Sequence, residues 1–475
     1  MWFRRDLRLD DNPALHEAAR AGSGRVVPLF VLDPQVYGPV GPNRRSFLAG
    51  TLAALDRELG GTLVVRRGSP ATVVPAVARE VGASTVVVTR GSGPYGARRD
   101  TWVGEALAGD GLQLVVAGSP YLVTPGTLRT STGGGFGVFS AFLRALERAG
   151  WPAPLPEPDA RYEGAPSDAR AEDLLAGVAS PGSAGLPEWW QGLPLGPAAR
   201  LPEPGPRAAR SALERFVRAG LDSYAERRDD LGVEGTSRLS AYLHFGCLHP
   251  RTVLARAGTG RGADRLRSEL AWRDFYADVL WHRPQSAREP LQAFGRHLRW
   301  DEDGTARERF IAWATARTGY DLVDAAMRQL LEEGWAHNRA RMVAASFLVK
   351  DLHIDWRLGA RWYMWHLVDG DLASNQHGWQ WVAGTGTDAA PFHRIFNPEL
   401  QRQRFDPTGS YVARYLGPER EHRSGGTGDA QTAPLPGLAV AQASPRPRLV
   451  DHAHERAEAL ARFAAARERA RLSDR

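Results

Sequence analysis

The first 128 residues alternate short apolar runs with stretches whose apolar positions recur at helical spacing. The runs at 26–32, 63–65, 85–89 and 112–116 are rich in β-branched residues and lack the polar alternation of a half-exposed strand. Strands of this kind belong to parallel sheets that helices cover on both faces. The pattern predicts an α/β, Rossmann-like domain over 1–128. Only Met1 precedes Trp2, so the first strand is expected to be a stub or to start upstream.

Beyond residue 208 the β-branched runs disappear, and long segments with helical periodicity follow at 264–281, 321–333 and 337–351. A final amphipathic, arginine-rich helix is predicted over 451–472. The pattern therefore predicts an all-α domain over 208–475. Residues 129–207 are rich in proline, alanine, glycine and acidic residues, which predicts an interdomain linker.

Composition narrows the class of protein. The chain has 475 residues, of which 43% are hydrophobic and 24% charged, as in ordinary globular proteins of two or three domains. The formal net charge of +6 favours a polyanionic partner. The single cysteine, Cys247, excludes a disulfide framework and indicates a reducing compartment, so we expect a cytoplasmic protein. No run of 18 apolar residues occurs, so no membrane span is expected, and no metal site is predicted.

Several catalytic motifs are absent from the sequence. The only lysine, Lys350, follows Val349, which excludes a Walker A loop, and neither a Gly-x-Ser-x-Gly elbow nor a His-Glu-x-x-His pair occurs. Residues 91–96 (GSGPYG) match the dinucleotide-binding fingerprint. They follow a late strand, however, and Pro94 lacks the N–H that a phosphate would use, so nicotinamide binding is disfavoured.

Two segments carry unusual polar chemistry. Residues 234–240 (EGTSRLS) place three hydroxyls and an arginine before an apolar helix, which suits either phosphate binding or an ordinary helix N-cap. Residues 362–381 combine four tryptophans with Asp369, Asp371 and Asn375. Buried carboxylates need counter-ions, for which Arg273 and Arg341 are candidates. For any single tryptophan, core packing is the simpler account.

Six ordered motifs spread over nearly the whole chain resemble the photolyase/cryptochrome family, and most closely its microbial class I cyclobutane pyrimidine dimer photolyases. They are 2–13 (WFRRDLRLDDNP), 235–240 (GTSRLS), 269–276 (ELAWRDFY), 318–329 (TGYDLVDAAMRQ), 335–342 (WAHNRARM) and 369–398. The resemblance implies an N-terminal α/β antenna domain and a C-terminal helical domain. That helical domain would bind FAD, active as reduced FADH⁻, below a pocket for a flipped dinucleotide.

The resemblance also implies roles for individual residues. Asn375 would face flavin N5 as a neutral amide, which suits a site for the reduced anion. The residues implied to hold the FAD phosphates are Tyr224, Thr236, Ser237, Arg238, Leu239 and Ser240, and those around the ribose and flavin are Arg273, Arg341, Asp369, Asp371 and Asn375.

On the substrate side, the resemblance implies light-driven splitting of pyrimidine dimers in DNA by electron transfer from reduced FAD. Glu269 would hydrogen-bond a thymine carbonyl, and Trp272 and Trp381 would stack on the lesion. The residues implied to meet DNA are Arg228, Glu269, Trp272, Tyr276, Asn338, Arg341, Met342 and Trp381, with Glu269, Asn338, Met342 and Asn375 as the catalytic set. Trp379, Trp356 and Trp300 match an electron-transfer chain to the surface.

Some points of the resemblance stay open. Arg44 and His244 stand at antenna positions, and a deazaflavin (8-HDF) is favoured over a folate (MTHF) as second chromophore. A (6-4) photolyase would carry histidines at Asn338 and Met342, and a plant-type cryptochrome, a blue-light photoreceptor, would carry aspartate at Asn375. A monomer acting on DNA with pyrimidine dimers is expected.

Overall fold

A parallel sheet forms the centre of the N-terminal part of the chain. The structure is a computed structural model that describes residues 1–168, 186–387, 394–417 and 447–473. We call 1–168 the α/β region and the described residues from 186 onward the helical region. The strands are β1 (Trp2–Phe3), β2 (Arg25–Val26), β3 (Leu29–Leu32), β4 (Val64–Arg67), β5 (Thr85–Val88), β6 (Gln113–Val116) and β7 (Arg161–Tyr162).

All strand pairings in the α/β region are parallel, in the orders β1-β3-β4, β5-β6 and β2-β7. Every residue of β3 is buried, as expected of a strand that helices cover on both faces. The helices of this region are α1 (Pro13–Ala21), α2 (Pro34–Tyr37), α3 (Pro42–Glu58), α4 (Pro70–Glu80), α5 (Pro94–Gly109) and α6 (Phe139–Ala149). The predicted α/β class is confirmed.

The run at 26–32, expected to be one strand, forms two. Pro28 has no N–H and interrupts the ladder, so β2 ends at Val26 and β3 begins at Leu29. The carbonyl of Pro28 still accepts a hydrogen bond from the Val64 N–H, at 2.8 Å. β1 is the expected stub, since only Trp2 and Phe3 pair with β3.

The segment predicted to be a linker contains regular structure. The helix α6 lies within 129–207, and its buried residues Phe142, Ala145 and Leu146 follow helical spacing that the overall composition concealed. The strand β7 pairs with β2, and a 3-10 helix at Glu188–Trp190 buries Trp190. These parts of 129–207 therefore have regular structure in addition to any role as a linker between the two regions; 169–185 lie outside the described residues.

The helical region confirms the predicted all-α class. The helices expected over 264–281, 321–333, 337–351 and 451–472 are present with small shifts at their ends. Its helices are α7 (Pro206–Ala219), α8 (Tyr224–Arg227), α9 (Ser240–Phe245), α10 (Pro250–Ala257), α11 (Arg261–His282), α12 (Gly304–Ala314), α13 (Asp321–Glu333), α14 (Asn338–Lys350), α15 (Trp356–His366), α16 (Leu372–Ala383), α17 (Pro398–Phe405), α18 (Ser410–Leu416) and α19 (His452–Ser473).

A common hydrophobic core joins the two regions. On α3, Phe47 packs against Tyr242 and Phe245 of α9, with ring centroids 5.8 and 5.1 Å apart. A second core lies within the helical region and contains Trp313, Trp356 and Trp379. Because the α/β region packs directly on α9, it can contribute groups to any site beside that helix. Within the described ranges, no helix has both the length and the apolar character needed to cross a bilayer.

Candidate functional site

The helical region encloses a cavity of about 550 Å³, a size typical of ligand sites. Helices α9, α11, α14 and α16 form most of its wall. Segments far apart in the sequence therefore meet at one site. The predicted residues that line it are Tyr224, Arg228, Thr236, Ser237, Arg238, Leu239, Ser240, His244, Glu269, Trp272, Arg273, Tyr276, Asn338, Arg341, Met342, Asp369, Asp371, Asn375, Trp379 and Trp381.

The floor of the cavity is the turn between α15 and α16. Asp371 is the N-cap of α16, where its Oδ1 accepts a hydrogen bond from the Ser374 N–H at 2.9 Å. Its Oδ2 pairs with Arg5 Nη2 at 2.9 Å. Burial opposes ionisation of Asp371, but Arg5, His244 and Arg273 outweigh it, so the pKa of this carboxyl lies below its usual range. Asp371 is a fixed carboxylate at neutral pH.

Three polar atoms beside the floor are buried without a hydrogen-bond partner among the described residues: Asp369 Oδ1, Arg341 Nε and His244 Nδ1. The nearest cation to Asp369 is Arg341, whose Nη2 lies 3.7 Å from Oδ1. Buried polar atoms normally find a partner, so these point to a ligand with donors and acceptors of its own. The arrangement fits the hydroxyl- and amide-bearing parts of FAD.

Asn375 lies one helical turn beyond Asp371, on the same face of α16. It is buried, and its amide nitrogen donates to the carbonyl of Ala360 at 3.0 Å. A methyl group added to Gly378, also on the cavity wall, would meet no atom within 4 Å. A neutral amide therefore faces an open space that a planar ring system can occupy.

The hydroxyl segment 236–240 forms another side of the cavity. Arg238 adopts a left-handed backbone with φ of 50°, and its Nη1 pairs with Glu333 at 2.7 Å. Its guanidinium also lies 4.2 Å from the ring centre of Trp335. Trp335 Nε1 donates to Ser240 Oγ at 3.3 Å. Trp335 lines the cavity and was not predicted as a site residue, although it opens the motif at 335–342.

The opposite wall is α11, which carries four predicted residues. Glu269 is bound by two arginines, Arg228 at 3.0 Å and Arg265 at 2.9 Å. Burial nevertheless raises the pKa of Glu269, because desolvation exceeds the effect of both arginines. Arg273 donates to the carbonyls of Pro120 and Leu243, at 2.9 and 3.2 Å, which fixes it at the inner end of this wall.

Trp272 is supported from behind by a residue that the sequence did not indicate. The ring of Phe139, at the start of α6, stacks on Trp272 with centroids 3.7 Å apart and planes 7° from parallel. Phe139 belongs to the stretch predicted to be a linker. Tyr276 lies next to Trp272 and also contacts His377, at 5.4 and 5.5 Å between ring centroids.

The cavity opens to solvent where α14 begins. Asn338 is exposed, and its amide nitrogen contacts Met342 Sδ at 3.7 Å. Met342 and Trp381 are half-buried and form the apolar part of the opening. The outer end of the cavity therefore offers stacking surfaces and exchangeable hydrogen-bonding groups, whereas its floor offers fixed charges. No group of three or more His, Cys, Asp or Glu in the described ranges could hold a metal ion.

Comparisons with known proteins agree with this geometry. Residues 1–159 match the family description "DNA photolyase", and 266–465 match "FAD binding domain of DNA photolyase". The deoxyribodipyrimidine photo-lyase of Streptomyces griseus is 43% identical over 86% of this chain and 87% of its own. The chain belongs to the photolyase/cryptochrome family.

Solved structures of the family share the fold over nearly the full chain. The class III photolyase of Agrobacterium tumefaciens covers 98% of this chain with a TM-score of 0.83 and 33% identity, and 97% of its own chain is matched. The photolyase of Sulfolobus tokodaii, described with two FAD molecules, covers 98% of both chains with a TM-score of 0.79 and 25% identity. The residues 224–240 lie between the two ranges that match the family descriptions.

Two members of the predicted tryptophan chain lie away from the cavity. Trp379 lines it and contacts Tyr363 and Trp313, with ring centroids 5.0 and 6.2 Å apart. Trp356 is buried in the same core, and Trp300 is half-buried at its edge. A methyl group on Gly359, one turn after Trp356, would lie 2.2 Å from the Trp379 ring. The helix of Trp356 is thus in direct contact with Trp379.

The two residues predicted at antenna positions, Arg44 and His244, lie near the main cavity. His244 lines the FAD-type cavity, and burial together with Arg5 holds its pKa well below the ordinary value. Arg44 is buried between the two regions, where it donates to the carbonyls of Gly370 and Met364. Both side chains therefore lie beside the floor of the main cavity, and their role toward an antenna stays a prediction.

Proposed function

We propose that the protein is a deoxyribodipyrimidine photo-lyase that repairs cyclobutane pyrimidine dimers in DNA with light. The observation that carries this function is the division of one cavity into a charged, buried floor and an apolar opening. FAD in its reduced form, when bound and excited by blue light, supplies one electron to the dimer and takes it back. The protein's residues bind, orient and stabilise charge around that exchange.

The floor residues would hold the cofactor. Asp371 and Asp369 offer carboxylate oxygens to hydroxyl and N–H groups, and Asn375 offers a neutral amide near flavin N5. A carboxylate at Asn375 would repel the reduced anion, whereas the amide does not. The phosphates are proposed to bind along Thr236–Ser240, where the Arg238 charge is shared with Glu333.

The opening would receive the damaged dinucleotide. Trp272 and Trp381 provide apolar surfaces for the two flipped bases, which offsets the cost of unstacking. Glu269 is proposed to hydrogen-bond a thymine carbonyl through its carboxyl group, whose pKa is raised by burial. Such a donor stabilises negative charge that develops on that oxygen when the electron arrives.

Asn338, Met342, Tyr276 and Arg341 complete the proposed contact with the lesion. Asn338 can hydrogen-bond a base edge from its exposed position, and Met342 fills the space beside it. Arg228 lines the cavity, where it pairs with Glu269 at 3.0 Å, and is proposed to meet backbone phosphates, which would give affinity without sequence preference. The net charge of +6 supports the same partner.

Trp379, Trp356 and Trp300 are proposed to carry an electron from an external reductant, such as a thiol, to oxidised FAD. Trp379 is the member beside the cofactor cavity. A second chromophore is also proposed, with a deazaflavin favoured over a folate, and the second FAD of the S. tokodaii enzyme shows that relatives can hold one. We further propose a monomer in the cytoplasm, where the single thiol, Cys247, stays reduced.

The test is an absorption spectrum of the purified protein followed by blue-light illumination with a thymine-dimer oligonucleotide under reducing conditions. Flavin bands and a light-dependent recovery of thymine absorbance are expected, with an unilluminated sample as control. Flavin without dimer repair would contradict this function and favour a blue-light photoreceptor or (6-4) repair. A further near-ultraviolet or blue band would identify the second chromophore.

A further inference from the structure

The floor of the cavity is held from behind by two arginines of the α/β region. Arg5 Nη2 pairs with Asp371 Oδ2 at 2.9 Å, and Arg44 Nη1 donates to the Gly370 carbonyl at 3.1 Å. Neither arginine is among the described residues that line the cavity. Both therefore act on the site through the turn 369–371, and both come from a part of the chain that contributes no cavity wall of its own.

The position of Arg5 is fixed by close backbone packing. Gly246, after α9, has φ of 71°, and a methyl group there would lie 2.0 Å from the Arg5 carbonyl oxygen. The Leu7 N–H donates to the Phe245 carbonyl at 3.2 Å, and Arg5 Nε donates to the His244 carbonyl at 3.0 Å. Only glycine permits this approach, so the N-terminal segment places the Arg5 guanidinium against Asp371.

The charges around the floor are unequal. The carboxylates of Asp369 and Asp371 face four arginines, Arg5, Arg44, Arg273 and Arg341, of which Arg273 also lies 3.7 Å from the carboxyl group of Asp274. Removal of Arg5 would take away one positive charge and leave the buried Asp371 carboxylate without its direct partner. An electropositive floor favours a ligand that becomes more negative when it is reduced.

We infer that Arg5 is a positioning residue of the cofactor site, through which the α/β region controls FAD affinity and the reduction potential of the bound flavin. This inference rests on the proposed function of the cavity as an FAD site. Arg5 holds the Asp371 carboxylate in the orientation that the cofactor meets, and its charge stabilises the reduced anion. The α/β region thus completes the cofactor site in addition to any role in light absorption.

The test compares Arg5→Met, Asp371→Asn and the double variant by titration of the apoprotein with FAD. Because the Asp371 end of this ion pair is buried, loss of either partner should weaken FAD binding about tenfold or more in each single variant. Since Arg5 acts through Asp371, the double variant should bind no more weakly than the weaker single variant. The midpoint potential of the bound flavin should fall in Arg5→Met and be restored toward the original value in Arg5→Lys.

The matched control is Arg210→Met. Arg210 also joins the two regions, through Glu58 at 3.0 Å and Asp10 at 3.4 Å, but on the surface and away from the cavity. It should leave FAD affinity and potential unchanged. If Arg5→Met fails to fold, Arg5→Gln, which keeps N–H donors for the His244 carbonyl, takes its place in the same cycle.

The inference would be overturned if the Arg5 variants had unchanged FAD affinity and midpoint potential. It would also be overturned if the loss of FAD affinity in the double variant were the full sum of the two single losses. In either case Arg5 would only join the two regions. The proposed function fails in a different way. If the original apoprotein binds no FAD, the proposed cofactor site itself is wrong. If the original protein binds FAD and repairs dimers, but the Arg5 variants bind FAD with unchanged affinity and potential, only the role of Arg5 is wrong.

Discussion

The two cavity walls formed by α16 and α11 each carry a carboxyl group, and the pKa values of these groups differ. On α16, Asp371 has two hydrogen-bond partners at 2.9 Å and a lowered pKa, so it is charged at neutral pH. On α11, Glu269 has two arginines at similar distances and yet a raised pKa. Burial opposes ionisation in both, and it prevails only for Glu269. Two carboxyl groups of one cavity thus have pKa values shifted in opposite directions.

The difference shows what each wall needs. A cofactor that stays bound benefits from fixed charges and an N-capped helix, which Asp371 provides. The substrate is proposed to meet Glu269, whose carboxyl group burial holds at a raised pKa. Arg5 contributes to the contrast, because it comes from the α/β region and lowers the pKa of Asp371, whereas both arginines beside Glu269 belong to the helical region. Variants on the two helices can separate the two roles.

The largest effect is expected from Trp379→Phe on α16. Removal of the indole beside the cofactor should abolish nearly all photoreduction of oxidised FAD, while repair by chemically reduced protein continues. Flavin absorbance during illumination measures the first, and thymine absorbance the second. Trp313→Phe, which alters a neighbouring ring of Trp379, is the control and should keep photoreduction. Loss of both activities in Trp379→Phe would mean that the residue serves folding instead.

Asn375→Asp should come next. A carboxylate in place of the amide would repel the reduced flavin, and an interaction of about 1.4–2.7 kcal/mol corresponds to reoxidation in air about 10- to 100-fold faster. Recovery of oxidised flavin absorbance in the dark measures the rate. Leu372→Asp adds the same charge to the exposed side of α16 and should change nothing. An unaltered reoxidation rate in Asn375→Asp would contradict the proposal that this residue lies beside the flavin.

On α11, Glu269→Gln tests the substrate wall. The amide keeps a donor but loses the charge-assisted hydrogen bonds, so repair should fall about tenfold, with photoreduction unaffected. Light-dependent thymine recovery at limiting and saturating DNA separates binding from chemistry. Glu226→Gln, in an exposed pair with Arg261, serves as the control. A loss of photoreduction in Glu269→Gln would show that α11 also affects the cofactor, which contradicts the proposed separation of a cofactor wall from a substrate wall.

The smallest effect is expected for a buried carboxyl group on α11 that does not line the cavity, Asp274. Burial raises the pKa of Asp274 from 3.8 to about 7, although the N–H groups of Leu122 and Val123 oppose it. Between pH 3.8 and 7 the folded protein holds a proton that the unfolded chain lacks, so stability falls as the pH rises and stays reduced above pH 7.

Asp274→Asn removes this cost, so its stability relative to the original protein should rise between pH 4 and pH 8. Urea unfolding at both pH values measures it. Asp264→Asn, exposed at the start of the same helix, should show no such pH dependence. A difference that is the same at both pH values would show that Asp274 is not protonated in the folded protein.

Much of the fold followed from the local pattern. The strands at 85–89 and 112–116 and the helix at 321–333 were predicted because a run of buried positions has the same periodicity in sequence and in structure. On α16, Asp371 and Asn375 were indicated as polar groups among tryptophans, whereas Glu269 and Trp272 on α11 were indicated by the resemblance to the family. Their roles toward FAD and DNA stay predictions.

Other features depend on contacts between distant segments. The sequence by itself determined the α/β and all-α character, the hydroxyl segment and the acids of the turn 369–371. The tertiary structure alone decided that Arg5 pairs with Asp371 and that Phe139 stacks on Trp272. It also decided that the pKa of Asp371 is lowered whereas that of Glu269 is raised. Periodicity reports which face of a segment is buried, whereas a charge partner or a stacked ring is set by which segments meet in space.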